Sequence, residues 1–252
     1  MKDMLVQPQQ GIEGVGLQVP WRLRDLGLAG AWVLAAGILI IIVLGIVFAA
    51  VEDISDDAEI AVVLGASLAL EVALLGAAAW FSVRRYSCGW RALGFRPAVR
   101  GGWWLPLAVA ASVVVAAWFT LGVYFLIVEL AGLGEMVPES TLPEDFFDSP
   151  AILPLVGVLA ILAAPVAEET FFRGFLFSAL RVRWGAFWAA LASGLLFAAL
   201  HFSLGSLVPF TVIGMLMAWA YVFSGSLWTA IGAHLAFNSV SFGIAVALGG
   251  GS

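Results

Sequence analysis

Apolar residues run almost without interruption at about 28–51, 60–81, 103–128, 151–180, 185–203, 207–223 and 227–248 of this 252-residue chain. A helix needs about 20 mostly apolar residues to cross the hydrocarbon core of a bilayer, and each run meets or approaches that length. Hydrocarbon offers no partner for a free backbone N–H or C=O, so segments of this kind cross as helices. The runs therefore predict an all-α, polytopic integral membrane bundle of about seven transmembrane helices. It forms a single membrane domain over 1–252, with a cytoplasmic or interfacial segment at 1–27. Composition agrees: 63% of residues are hydrophobic and 11% charged, against about 45–50% and 25% in soluble domains. Eighteen Phe and eleven Trp exclude an intrinsically disordered chain.

The few charges are sorted by side. Lys2, Arg22 and Arg24 precede the first run, Arg84, Arg85, Arg91, Arg96 and Arg100 lie between the second and third, and Arg181 and Arg183 follow the fourth. Cations flanking spans stay cytoplasmic, so the N-terminus is expected inside and the C-terminus outside. The opposite loops carry Glu52, Asp53, Asp56, Asp57 and Glu59, then Glu135, Glu139, Glu144, Asp145 and Asp148, with no cation. The alanine- and glycine-rich spans suit a bacterial plasma membrane. A net charge of −6 argues against nucleic acid as a partner, because phosphate neutralisation needs clustered Lys and Arg. The basic, Trp-bearing segment Arg84–Gly102 reads as an anchor in the headgroup layer, or as a docking surface for a membrane-bound substrate. Cys88 reads as structural filler. The first nineteen residues do not read as a signal peptide, and Gly249-Gly250-Gly251-Ser252 is not a prenylation box.

A charge at the bilayer centre costs a few kcal/mol even on lenient scales, so each ionisable group inside a run is a candidate for function. Glu71, Glu168, Glu169, Arg173, His201 and His234 are those groups, and Asn238 follows His234 by one turn. Residues four apart share a helix face, so Glu169 is expected to neutralise Arg173, with Glu168 rotated about 100° away and free. His234 and Asn238 likewise share a face and can donate two hydrogen bonds to one oxygen. Phe197 lies one turn before His201 and can restrict its rotamer. At about 1.5 Å per residue, Glu168, His201, His234 and Asn238 can share one layer deep in the bilayer. Pro165 is expected to kink the fourth helix, Gly174, Gly194, Gly205, Gly214, Gly225 and Gly232 to permit close approach or opening, and a cytoplasm-facing water cavity to solvate the site. Glu71 is expected to face the bundle and meet Arg173 or another polar group near the site.

A free carboxylate beside a histidine is a general base for water, and a histidine with an amide is an oxyanion hole. Together they suit hydrolysis of an acyl bond, with Glu168 and His201 activating water and His234 and Asn238 stabilising the oxyanion. No GxSxG phrase supports a serine nucleophile. Glu168, His201 and His234 also form an admissible zinc ligand set, although HExxH spacing is absent. Two other readings compete: a proton-coupled transporter using Glu71, Glu168 and the histidines as a relay, and a non-catalytic immunity or scaffold protein. No internal repeat supports the transporter.

Glu168–Arg173, Phe197–His201 and His234–Asn238 stand in this order as EExxxR, FxxxH and HxxxN. The ordered set resembles the CAAX-protease and bacteriocin-processing (Abi) family of intramembrane proteases, over about 151–248, with looser support from Trp90–Phe95. The resemblance implies that 151–248 holds the catalytic core helices, that Glu168 and His201 activate water, and that His234 and Asn238 bind the oxyanion, with Glu169, Arg173 and Phe197 in support. It implies a peptide or protein substrate, prenylated in the eukaryotic type II CAAX prenyl endopeptidases. Well-described relatives have eight spans, so seven or eight are expected here.

Overall fold

The computed structural model describes residues 19–51, 53–99, 102–138, 149 and 151–249. Lys2, Glu52, Arg100, Glu139, Glu144, Asp145 and Asp148 of the charge pattern, residues 1–18 of the N-terminal segment, and Gly250-Gly251-Ser252 lie outside them. All regular structure among the described residues is helical. The elements are α1 (Leu23–Ala50), α2 (Asp56–Ala78, continued by a π-helical turn Ala79–Arg84), and α3 (Trp104–Leu130). Next come α4 (Leu153–Val158), a π segment (Leu159–Ala163), α5 (Ala164–Glu169), and a second π segment (Thr170–Phe177). The chain ends in α6 (Ser178–Ala199), α7 (Leu204–Ser224) and α8 (Leu227–Gly249).

Helix α1 begins where Asp25 accepts the Arg22 backbone N–H at 2.8 Å, satisfying one of the donors a helix start leaves open. Buried Asp25 also accepts from the Tyr86 hydroxyl at 2.5 Å and pairs with the Arg85 guanidinium at 3.1 Å. Its carboxylate raises the Tyr86 hydroxyl pKa above the ordinary tyrosine value by that hydrogen bond. The Trp21 indole donates to Phe175 O at 2.9 Å, so the start of α1 is tied to both the basic loop and the second π segment. Beyond that anchor α1 presents Leu34, Ile41 and Ile46 outward, each more than 60% exposed. Side chains of this kind gain roughly 1.5–3 kcal/mol each on leaving water, and a lipid surround supplies that here.

Among the described residues, six continuous helical stretches are long and apolar enough to cross a membrane, where seven or eight were expected. The difference arises in Leu153–Ala199, a 47-residue stretch that joins the expected fourth and fifth runs. The chain nevertheless doubles back inside it at Gly185, whose φ of 76° and ψ of 170° are open to glycine and strained for other residues. The Phe172 and Phe197 rings meet at 5.5 Å across the fold, whereas a straight helix would hold them roughly 37 Å apart. Two antiparallel arms result, and Glu168 and His201 lie at nearly equal distances along them from the bend.

Helices α6 and α7 cross backbone to backbone. A Cβ on Gly194 would sit 2.5 Å from Thr211 O, and one on Gly214 would sit 2.8 Å from Gly194 Cα. Gly174 packs as closely on Leu93 O, and Gly205 on Val137 O, while Gly232 makes no such approach. The Gly194–Gly214 crossing delivers the Gly214 carbonyl to the buried Arg173 guanidinium. Gly194→Ala should therefore force the helices apart and lower stability by about 1–3 kcal/mol, the usual cost of overpacking. Thermal unfolding in detergent checks this, with Gly232→Ala, at a helix glycine with open space around it, expected to hold or raise the midpoint.

Candidate active site

Helix α5 is a six-residue piece between two π segments. A π turn widens the helix and leaves carbonyls poorly matched to their own N–H groups, and such turns recur at functional sites. Other side chains meet those carbonyls here. Ser193 Oγ donates to Phe172 O at 3.0 Å, Ser178 Oγ to Arg173 O at 3.0 Å, and the Trp21 indole to Phe175 O. The segment carrying the Glu pair and the arginine is thus held open from several elements.

Glu169 and Arg173 are fully buried and paired at 2.7 Å, the contact expected from their spacing. Arg173 also donates to Gly214 O at 3.0 Å, and its guanidinium carbon stands 4.7 Å from the Phe197 ring centre. These contacts replace part of the hydration a buried cation loses, although Arg173 Nε and Glu169 Oε2 have no hydrogen-bond partner among the described residues. Glu169 does more than expected. The same Oε1 that accepts from Arg173 also lies 2.9 Å from His234 Nδ1. A carboxylate only accepts, so this ring nitrogen carries the proton. The other ring nitrogen, Nε2, then points toward Glu168 Oε2 at 3.6 Å. Adjacent carboxyls that diverge on their own helix are thereby bridged by one imidazole from α8.

Other expected groups stand differently. His201 falls in the turn after α6, where Phe202 takes φ +51° and Ser203 caps α7, so it ends its arm rather than sitting within a span. Its Nδ1 donates to Phe197 O at 3.0 Å, leaving Nε2 with its lone pair. Its ring packs at 4.8 Å on Phe197 and 4.7 Å on Phe210. Phe197 also lies 5.8 Å from the His234 ring, so the two histidines are linked through this one aromatic side chain. Among the described residues His201 makes no hydrogen bond to Glu168. One N–H of the Asn238 amide is spent on Ala160 O, at 2.8 Å. Glu71 faces the bundle. It makes no hydrogen bond to Arg173 or Glu168 among the described residues, and the hydrogen bonds of Arg173 go to Glu169 and Gly214. One Glu71 oxygen is buried with no hydrogen-bond partner among the described residues.

A catalytic zinc needs three protein donors about 2.0–2.2 Å from one point. His234 Nε2 and Glu168 Oε2 are near the separation of two such ligands, but no third His, Cys, Asp or Glu completes a cluster among the described residues. The donor set therefore does not fit a zinc site as it stands. Two acceptors central to the site, Gly214 O and Ala160 O, were not foreseen, because a backbone carbonyl has no residue-type signature. The grooves lined by Trp184, Trp188 and Leu195 and by Trp21, Arg22 and Arg183 are elsewhere.

Residues 150–240 match the family described as type II CAAX prenyl endopeptidase Rce1-like. The chain is also 31% identical over 101 residues to the "Putative membrane peptidase YdiL" of Bacillus subtilis (strain 168), covering 40% of this chain and 41% of that protein. It thus spans about two fifths of that relative's length. No solved structure matches it. Both similarities support the CAAX-protease resemblance carried by the three motifs.

Proposed function

We propose that this chain, whose residues 150–240 carry the segment similar to the type II CAAX prenyl endopeptidases, is an intramembrane endopeptidase. It hydrolyses a peptide bond near the C-terminus of a membrane-associated substrate, prenylated or not. The observation that carries this reading is the Glu169–His234–Glu168 array, buried at Glu169 and His234, with Arg173 neutralising Glu169 at its far end. Glu168 is the general base. It takes a proton from water as the oxygen adds to the scissile carbonyl, then returns it to the departing amine. His201, with its lone pair held in a fixed direction by the Phe197 carbonyl, is the second acceptor for that water. His234, anchored through Nδ1 on Glu169, and Asn238, through its second N–H, stabilise the oxyanion. The array sits in a helix bundle with the charge pattern of an N-terminus inside and a C-terminus outside, and the membrane is that of a bacterial cell.

Purified protein in detergent, given a panel of prenylated and unprenylated membrane peptides, tests this. Wild type should cleave, and His201→Ala should cleave at least about 100-fold more slowly, within the range of general acid–base effects. Activity should survive a strong chelator. Loss that zinc restores would replace this mechanism with a metal centre on Glu168, His201 and His234. A folded wild type that cleaves nothing would favour a non-catalytic immunity or scaffold role or a proton-coupled transporter.

A further inference from the structure

The π segment Leu159–Ala163 shifts the hydrogen-bond register of its helix. Within it the Ala164 N–H donates to Leu159 O, five residues back. The next bond in that register would join the residue 165 N–H to Ala160 O, and residue 165 is proline, which has none. The Asn238 carboxamide fills the position from α8, with Nδ2 2.8 Å from Ala160 O. A carbonyl oxygen only accepts, so the contact fixes the nitrogen end of the amide toward Ala160 and the oxygen end away from it. The amide is planar, so anchoring one N–H also sets the direction of the other, which has no partner among the described residues. His234 stands one turn earlier on the same helix, already bonded to Glu169.

We propose that Pro165 is a positioning residue of the peptidase site. Because it lacks an N–H, it keeps Ala160 O open as the acceptor that orients the second N–H of Asn238 toward the reacting carbonyl oxygen. This rests on the peptidase reading above. Pro165→Ala returns an N–H to the helix, which takes Ala160 O for itself and frees the Asn238 amide to rotate. A helix that gains a hydrogen bond and loses a proline should be no less stable, so the defect is one of orientation.

A double-mutant cycle in kcat and KM tests it on any peptide that wild type cleaves, using P165A, N238A and the double variant. P165A should lower kcat about tenfold with KM and the thermal midpoint unchanged, the pattern of a misplaced transition-state contact. In the N238A background P165A should cost nothing further, because the group it acts through is gone. Pro165→Ser, which also carries an N–H, runs alongside and should match P165A. An unchanged kcat, a loss of equal factor in both backgrounds, or a loss that follows a lowered midpoint would overturn the proposal. Glu168→Gln is measured in the same series. If it abolishes cleavage while the cycle is additive, the peptidase reading stands and the role of Pro165 falls. If it cleaves like wild type, the catalytic role given to Glu168 falls, and if folded wild type cleaves no peptide, the peptidase reading itself falls.

Discussion

Glu168→Gln should lower cleavage about 10³-fold, in the middle of the range for a lost general acid–base group, while the protein unfolds at the wild-type temperature. Glutamine keeps the shape of the side chain and its place 3.6 Å from His234 Nε2, but it has no basic oxygen to take a proton from water. The stability half of the expectation follows from the contacts: Glu168 is not the partner of Arg173, so its neutralisation strands no buried charge. Initial rates and thermal unfolding on the same preparation check both halves. A variant that loses activity only because it unfolds would leave the role of Glu168 unsupported. One that folds and cleaves at the wild-type rate would remove it from the mechanism.

Arg173→Leu should have the largest effect on stability. Both members of the Glu169–Arg173 pair are fully buried, and removing one partner of such a pair costs about 3–5 kcal/mol because the other is left uncompensated. Gly214 O loses its donor at the same time, and Phe197 loses the cation over its ring. At roughly 2–4 °C per kcal/mol for a domain of this size, the thermal midpoint should fall by about 10 °C. Glu169→Gln in the Arg173→Leu background should recover part of that loss, since two neutral groups replace one stranded charge. Equal, additive losses would show that the pair is not coupled. The single variant should also lose cleavage, because Glu169 anchors His234 and its own orientation depends on Arg173.

The parts of this arrangement that were legible beforehand are those set within one helix. The Glu169–Arg173 pair follows from four-residue spacing, and the helical class follows from the apolar runs. What one helix presents to another was less legible. The imidazole of His234 reaches both glutamates, although their side chains diverge on α5, because its two nitrogens lie on opposite sides of one ring. Asn238 shares a face with His234 as expected, yet its amide turns to Ala160 O, an acceptor freed by a π turn that side-chain patterning does not encode. Pro165 announced a disturbance of the helix but not which carbonyl it would release. His201 read as lying within its span because Leu200, Phe202 and Leu204 around it are apolar. A positive φ at Phe202 ends the arm there instead. The joined fourth and fifth runs have a related cause, since the reversal rests on the dihedral angles of Gly185.

The most direct test of the central claim is to incubate the purified wild-type protein with a membrane-anchored peptide in ¹⁸O-labelled water and weigh the products. The account predicts scission at one bond near the peptide's C-terminus, with a single labelled oxygen in the new carboxylate, and no product with Glu168→Gln. Unlabelled or absent product from folded wild-type protein, or the same labelled product from Glu168→Gln, would contradict it.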